Sequence, residues 1–185
     1  MSHQAAHNLP HDQLLNAYWV VPGRLLAGPY PSAPALPDAQ KQVAALLALG
    51  IDYIVDLTEP GEYGLRAYWP LLLEASMAQG LTIERRQWSI PDMSVPTQEQ
   101  MRATLDDIDA ALASGRTVYI HCFGGIGRTG TVVGCYLVRG GARGDDALAT
   151  IAHLRRTIHQ PYRRAPETSE QRAMVRAWHE GVAGD

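Results

Sequence analysis

Apolar and polar residues follow two different periods along this chain. In six segments the apolar residues recur every three or four positions, the spacing of one face of a helix. Between these segments lie short apolar runs bounded by glycine, proline or polar turns, which predict strands. The helices are predicted over residues 38–49, 68–79, 97–114, 129–138, 145–158 and from 168 onward, and the strands over residues 18–21, 24–27, 51–57, 82–87 and 117–121. This alternation indicates an α/β domain in which residues 51–57 and 82–87 form inner strands.

The first thirteen residues lack such a pattern. We expect residues 1–13 to be a flexible tail and residues 14–185 to form a single domain. Within the tail, His3, His7 and His11 have the four-residue spacing that metal ligands show on a helix. A proline in the same stretch would interrupt such a helix, so we predict no metal site there.

Composition and charge exclude several classes of protein. The 185 residues are 46% hydrophobic and 19% charged, which is typical of a globular domain. The net charge of −3 gives no general attraction to nucleic acid, so we expect no nucleic-acid partner. We find no apolar run long enough to cross a membrane and no secretory signal, and we expect neither a membrane partner nor export. Two cysteines do not make a disulfide framework, so a reducing, cytoplasmic location is predicted.

Most of the candidate chemistry lies in residues 118–131, which read Val-Tyr-Ile-His-Cys-Phe-Gly-Gly-Ile-Gly-Arg-Thr-Gly-Thr. Glycines after the strand allow successive backbone N–H groups to face one ligand, and the positive end of the following helix points at the same place. The planar guanidinium of Arg128 matches a phosphate dianion. Cys122 lies in the same positive field, which favours the thiolate, and the Thr129 hydroxyl can donate to its sulfur. The stretch therefore predicts an anion cradle with a nucleophile at its floor.

The spacing His121-Cys122-x5-Arg128-Thr129 resembles the Cys-x5-Arg-Ser/Thr signature of the cysteine-dependent protein tyrosine phosphatase superfamily. The loop is similar to that of the small dual-specificity phosphatases, including the kinase-associated phosphatase type. This resemblance implies an α/β fold in which a central, mixed and mostly parallel sheet is flanked by helices on both sides. It also implies that substrate phosphate is bound by the loop residues Phe123, Gly124, Gly125, Ile126 and Gly127.

An aspartate thirty residues before Cys122 is the predicted proton donor. Pro91-Asp92 alone would be interpreted as an ordinary turn, because aspartate is common after proline. The family's general acid, however, lies on a Pro-Asp loop upstream of the cysteine, so the resemblance implies that Asp92 is the general acid. The other upstream aspartates begin a helix or lie in a strand.

Two pairs of residues predict capping boxes at helix starts: Thr97 with Gln100, and Thr168 with Gln171. The second pair has an alternative role. In tyrosine phosphatases a Gln-Thr-x-x-Gln segment positions the water of the second step, and here Glu167 replaces the first glutamine. Gln171 therefore either helps to bind substrate and water or only caps its helix.

Two further polar residues have alternative interpretations. His121 either supports the loop and the thiolate through a hydrogen bond or packs at the strand end. Glu59, in the loop after residues 51–57, either orients the Arg128 guanidinium or is solvated.

The reaction implied by the resemblance is hydrolysis of a phosphomonoester through a cysteinyl-phosphate, with phosphotyrosine and also phosphoserine or phosphothreonine proteins as candidate substrates. Arg128 and the loop amides supply the positive charge, so no metal or other cofactor is expected. Related phosphoinositide phosphatases often carry lysines where this loop has Phe123 and Ile126, which favours a singly phosphorylated substrate. The alternative function is a phosphate- or phosphoprotein-binding module that has lost turnover. The oligomeric state is left open.

Overall fold

The computed structural model describes residues 11–179. In this range a five-stranded sheet lies between two layers of helices, which confirms the predicted α/β class. The strands are β1 Tyr18–Val21, β2 Leu25–Gly28, β3 Tyr53–Asp56, β4 Glu84–Gln87 and β5 Val118–His121. The helices are α1 His11–Leu14, α2 Leu36–Ala48, α3 Trp69–Ala78, α4 Gln98–Ala113, α5 Gly127–Arg139, α6 Gly144–Leu154 and α7 Ser169–Ala177, with short 3-10 turns at Glu62–Gly64 and Arg155–Thr157.

The sheet order is β1-β2-β5-β3-β4, with β1 antiparallel to β2 and all other neighbours parallel. In the central strand, His121 is in register with Gly28 of β2 and with Asp56 of β3. The carboxyl ends of three parallel strands, β2, β5 and β3, therefore lie side by side. Open α/β sheets bind ligands just beyond such strand ends.

Both faces of the central strands are buried. Val118 and Ile120 pack against the layer that contains α4 to α7, whereas Tyr119 packs against the layer that contains α1 to α3. Side chains alternate between the two faces of a strand, and here both faces are covered. The central strands therefore read as continuous apolar runs.

The prediction that residues 82–87 form an inner strand is wrong. The strand is shorter, Glu84–Gln87, and pairs only with β3, so it forms an edge of the sheet. Its sequence Glu-Arg-Arg-Gln explains the position, because charged side chains can remain hydrated at an edge and also discourage pairing with other chains.

One of the two predicted capping boxes forms completely. At α7, the Thr168 hydroxyl accepts from the backbone N–H of Gln171, and the Gln171 side chain accepts from the backbone N–H of Thr168. At α4, Thr97 caps the helix, but the Gln100 side chain donates to the carbonyl of Ser89 at 2.8 Å instead of closing the box. The glutamine thereby ties α4 to the loop before Asp92.

Part of the predicted N-terminal tail is helical, because α1 begins at His11. His3 and His7 lie outside the described residues. No helix between residues 11 and 179 is both long enough and apolar enough to cross a membrane.

Candidate active site

Residues 122–127 join β5 to α5 and include the first residue of that helix; they form a tight loop that we call the cradle loop. Cys122 lies at its base and is 2% exposed, and Ile126 is buried. Phe123 and Gly124 are exposed on the outer side of the loop. The loop thus presents an apolar, buried base and an exposed rim.

The neighbouring chain determines the shape of the cradle loop. Gly125 has a φ of +65°, and a Cβ atom there would lie 2.4 Å from the carbonyl carbon of Gly28. Tyr30 donates its backbone N–H to the carbonyl of Phe123 at 2.9 Å, and Arg155 Nη1 donates to the carbonyl of Gly125 at 2.8 Å. The loop is therefore held from both sides, and only glycine fits at position 125 without strain.

Arg128 is 1% exposed and lies between two carboxylates. Its Nη1 and Nη2 atoms each donate to one oxygen of Glu62 at 2.6 Å, and Nη2 lies 2.9 Å from Asp92 Oδ1. Burial alone would lower the pKa of Arg128, but the Glu62 carboxylate, together with the charges of Cys122 and Asp92, raises it above its ordinary value. The guanidinium is therefore a permanent cation at this site.

One donor of this guanidinium is not used by any residue that the structure describes. Arg128 Nε is buried and has no hydrogen-bond partner among residues 11–179, and the same is true of the Thr129 hydroxyl. Buried polar atoms almost always have a partner. These two groups, at the start of α5, are suited to bind an anion held by the cradle loop. The predicted hydrogen bond from the Thr129 hydroxyl to the Cys122 sulfur is not formed.

Asp92 lies at the entrance to the cradle loop, and its side chain is 36% exposed. Besides the ion pair with Arg128, it accepts a hydrogen bond from the Tyr63 hydroxyl on Oδ2. The ring of Tyr63 packs against that of Phe123, with 4.8 Å between the ring centroids. Tyr63 thus spans the entrance from the rim of the loop to the carboxylate.

His121 lies behind the cradle loop and is fully buried. Its Nδ1 atom is 3.3 Å from the carbonyl oxygen of Cys122, and its Nε2 atom is 2.7 Å from the Tyr68 hydroxyl. Asp56 Oδ2 is near both, at 3.8 Å from Nε2 and 3.3 Å from the hydroxyl. Burial lowers the pKa of His121, partly opposed by Asp56, which favours the neutral ring. A carbonyl oxygen only accepts, so Nδ1 is the donor in the bond to Cys122.

Gln171 is buried against the opposite side of the loop. In addition to its role in the capping box, its Nε2 atom donates to the carbonyl of Ser94 at 3.1 Å. A Cβ atom on Gly127 would lie 3.0 Å from this amide. Gln171 therefore links the start of α7 both to the cradle loop and to residues 88–97 between β4 and α4, which we call the Asp92 loop. Capping the helix is not its only contact.

The loop glutamate that contacts Arg128 is Glu62 and not Glu59, which is exposed. Both follow β3 in sequence. Gly61, with a φ of +76°, begins a 3-10 turn that brings Glu62 to the guanidinium. The sequence predicts a glutamate just after the carboxyl end of β3. Which glutamate reaches Arg128 is determined by the turn at Gly61.

Three other contributors were missed from the sequence: Tyr63, Asp56 and Tyr68. The only available signal for Asp56 was a charged residue at the end of an apolar strand. Asp56 is completely buried, and it accepts from Thr58 and pairs with Arg85 at 2.8 Å. Although its burial opposes ionisation, His121, Thr58 and Arg85 together lower its pKa.

The fold and the site together define a class of protein. A cysteine at the end of the central strand of a mixed α/β sheet is followed after five residues by an arginine, across a glycine-rich loop, with a second loop supplying an aspartate. This is the arrangement of the cysteine-dependent phosphatases.

Comparisons with known proteins agree with this class. Residues 32–142 match the family described as "Tc-R-P: Polymorphic toxin system, DSP-PTPase phosphatase", and the chain belongs to this family. Over 127 residues, 65% of this chain, it is 30% identical to the mouse protein named "Protein tyrosine phosphatase domain-containing protein 1". The chain spans 16% of the length of that protein and 62% of the length of a relative from Cupriavidus necator.

Solved structures have the same fold. The crystal structure of "Tk-PTP in the active form" is 26% identical, with a TM-score of 0.66 over 86% of this chain and 92% of that chain. The crystal structure of kinase-associated phosphatase with its catalytic cysteine replaced by serine is 18% identical, with a TM-score of 0.65 over 86% of this chain and 89% of that chain. The second likeness concerns the fold alone.

Proposed function

We propose that this chain is an active protein phosphatase that hydrolyses phosphotyrosine, and also phosphoserine or phosphothreonine, through a cysteinyl-phosphate intermediate. The observation that carries the proposal is the ion pair between Asp92 and Arg128, 2.9 Å long. The two residues are far apart in sequence, and their contact brings a carboxyl group to the entrance of the cradle loop that begins at Cys122. A nucleophile, a cation and a proton donor within one small site are the parts that phosphoryl transfer needs.

In the first step the Cys122 thiolate attacks phosphorus, so an S–P bond forms as the P–O bond to the leaving group breaks. Arg128 and the loop N–H groups bind the three equatorial oxygens, on which negative charge lies in the transition state. Asp92 in its acid form gives its proton to the leaving oxygen, which departs as a neutral phenol or alcohol.

In the second step a water molecule attacks the cysteinyl-phosphate. Asp92, now a carboxylate, takes a proton from this water, the S–P bond breaks, and the Cys122 thiolate and inorganic phosphate are released. Gln171, which bonds to the Asp92 loop through Ser94, is suited to keep that loop in place during this step.

Substrate binding requires a rearrangement at the entrance. Asp92 forms an ion pair with Arg128 Nη2, and Tyr63 donates a hydrogen bond to the same carboxylate. A phosphate dianion has to replace Asp92 in this ion pair, because its oxygens need the same donor. Glu62 keeps Arg128 in position from the other side, through two bonds of 2.6 Å. In this proposal Asp92 is released toward the leaving group as phosphate binds.

The test uses p-nitrophenyl phosphate as the substrate. We expect the wild-type chain to hydrolyse it, the Cys122→Ser variant to have no detectable activity, and Asp92→Asn to lose roughly 10²–10⁴-fold in kcat while still binding phosphate. Asp38→Asn, a change of an exposed aspartate at the start of α2, is the matched control and should keep full activity.

Two outcomes separate the possible functions. Undiminished turnover in Cys122→Ser would refute the proposed mechanism. A wild-type chain that binds phosphotyrosine peptides but hydrolyses neither them nor p-nitrophenyl phosphate would instead be a phosphoprotein-binding module.

A further inference from the structure

A concave surface next to the candidate active site is unusually rich in arginine. Residues 143–179 contain seven arginines and four acidic residues, whereas the whole chain has a net charge of −3. A groove with a volume of about 410 Å³ lies between α6, residues 161–165 and α7. We call it the arginine groove, and five of these arginines line it: Arg155, Arg163, Arg164, Arg172 and Arg176.

The arginine groove is continuous with the rim of the cradle loop. A neighbouring cavity of about 370 Å³ shares Arg155 and Arg163 with it and extends to Gly124 and Ile126. Arg155 also bonds directly to the cradle loop, through its contact with the carbonyl of Gly125. A chain that leaves the cradle loop along this path therefore enters the groove.

Several guanidinium groups in the groove are available to a ligand. Arg164 is exposed and forms no ion pair within the described residues. Arg155, by contrast, is only 3% exposed and is used within the fold, where it donates to the carbonyl of Gly125 and lies over the ring of Tyr18, so it adds charge beside the groove without contacting a ligand directly. Arg163 and Arg176 are paired with Glu167 and Asp145, but all four side chains are substantially exposed, and such pairs are easily exchanged.

Small or apolar residues line the groove together with the arginines, among them Leu148, Ala149 and Ala152. Apolar surface next to guanidinium groups suits an extended polypeptide whose acidic side chains reach the cations. A bilayer surface is flat and does not enter a groove. Nucleic acid would be repelled by the net negative charge of the rest of the chain.

We propose that the arginine groove binds an acidic stretch of the polypeptide substrate, adjacent to the phosphorylated residue that occupies the cradle loop. This proposal rests on the proposed function. It identifies the substrate class as phosphoproteins with several aspartate or glutamate residues beside the phosphorylated position, and it makes Arg163 and Arg164 specificity-determining residues.

The experiment compares three phosphotyrosine peptides of equal length. One has three glutamates before the phosphotyrosine, one has them after it, and one has alanines on both sides. At low salt we expect kcat/KM for one of the acidic peptides to exceed that of the alanine peptide about tenfold, a preference that two or three exposed charge contacts supply. Raising the salt concentration should reduce this ratio.

Charge reversal identifies the groove as the source of the preference. We expect the double variant Arg163→Glu with Arg164→Glu to lower the acidic-to-neutral ratio to about one or below. Arg102→Glu, which makes the same charge change on the exposed face of α4, should keep the wild-type ratio.

The outcomes separate this proposal from the proposed function. If the wild-type chain hydrolyses p-nitrophenyl phosphate but shows the same kcat/KM for all three peptides, the groove proposal is wrong and the phosphatase assignment stands. If it hydrolyses neither p-nitrophenyl phosphate nor the peptides, the affinity for the three labelled peptides is measured by fluorescence anisotropy. Tighter binding of an acidic peptide that is lost in the double variant supports the groove, and equal binding of all three, or binding to anionic lipid vesicles instead, overturns it.

Discussion

At the scale of single residues, the site depends on positions whose backbone permits only one residue type. Gly125 has a left-handed backbone and touches the chain at Gly28, so any side chain would displace the loop. Gly124, next to it, has no positive φ, and a Cβ atom there would meet only the side chain of Ile126 at 3.7 Å. Two adjacent glycines therefore have very different tolerance to substitution.

This contrast gives the first prediction. We expect Gly125→Ala to lower kcat/KM for p-nitrophenyl phosphate by about 10²-fold, because a shift of the loop by an ångström misaligns the phosphate donors. Gly124→Ala is the matched control and should change it by less than about threefold, since the added methyl group fits. Equal losses in the two variants would show that the left-handed turn is not what shapes the loop.

At the scale of elements, the loop after β3 supplies the partner that positions Arg128. The pair between Glu62 and Arg128 is bidentate, and the two side chains are 7% and 1% exposed. Removing one partner of a buried pair leaves the other charge without compensation. This loop therefore contributes to stability as well as to the site.

The second prediction concerns this pair. Glu62→Gln should lower the free energy of unfolding by about 3 kcal/mol, near the low end for a broken buried pair because Asp92 still contacts Arg128. The midpoint of thermal unfolding should fall by roughly 6–12 °C. Glu59→Gln, an exposed change in the same loop, should shift the midpoint by less than about 2 °C. Equal shifts for the two variants, measured by circular dichroism, would contradict the assignment of Glu62.

The order of elements could be predicted because their periodicity is strong. The five strands and the longer helices lie close to the predicted ranges, but β4 was wrongly predicted to be an inner strand. A charged sequence such as Glu-Arg-Arg-Gln is itself a signal for an edge strand.

Parts of the site could not be predicted for a different reason. The residues from Cys122 to Thr129 lie within one short stretch, so their spacing was sufficient to predict the cradle loop. Residues that come from other parts of the chain give no such local signal. Glu62 and Tyr63 reach the site through a turn with left-handed residues at Gly61 and Tyr63, and no local pattern indicates where such a turn points.

At the scale of the whole molecule, the residues behind the site, at the carboxyl ends of the parallel strands, also affect the stability of the fold. At the carboxyl ends of β3 and β5, the buried residues His121, Asp56 and Tyr68 form a network of polar contacts, and the partly exposed Arg85 of β4 pairs with Asp56 from the side. Burial keeps the pKa of His121 below its ordinary value of 6.5. Charging this ring in the folded protein is therefore unfavourable, whereas the unfolded chain takes up the proton freely.

The third prediction follows from the sign of that shift. As the pH falls below 6.5, the unfolded state binds more protons at His121 than the folded state does, so the contribution of His121 to stability is present above this pH and is lost as the pH falls. Asp56, whose pKa is also lowered, adds a further loss below about pH 4. We expect the free energy of unfolding, measured in urea, to decrease steadily between pH 7 and roughly pH 5.

A matched pair of variants isolates the histidine. His121→Asn should flatten the profile between pH 7 and roughly pH 5, whereas His153→Asn, on the exposed face of α6, should leave its slope unchanged. A wild-type profile without slope in this range would contradict the account of His121.

The central claim is that Cys122 forms a covalent bond to phosphorus, and the most direct test is to trap that species. The wild-type chain is mixed with p-nitrophenyl phosphate, quenched in acid within milliseconds and digested, and the peptides are analysed by mass spectrometry. We predict one phosphoryl group on the peptide that contains Cys122 and none on that peptide in the Cys122→Ser variant, while Cys135, buried in α5 with its pKa raised to about 12, stays unmodified. Continued turnover with no phosphoryl group on Cys122, or with the group on another residue, would contradict the claim.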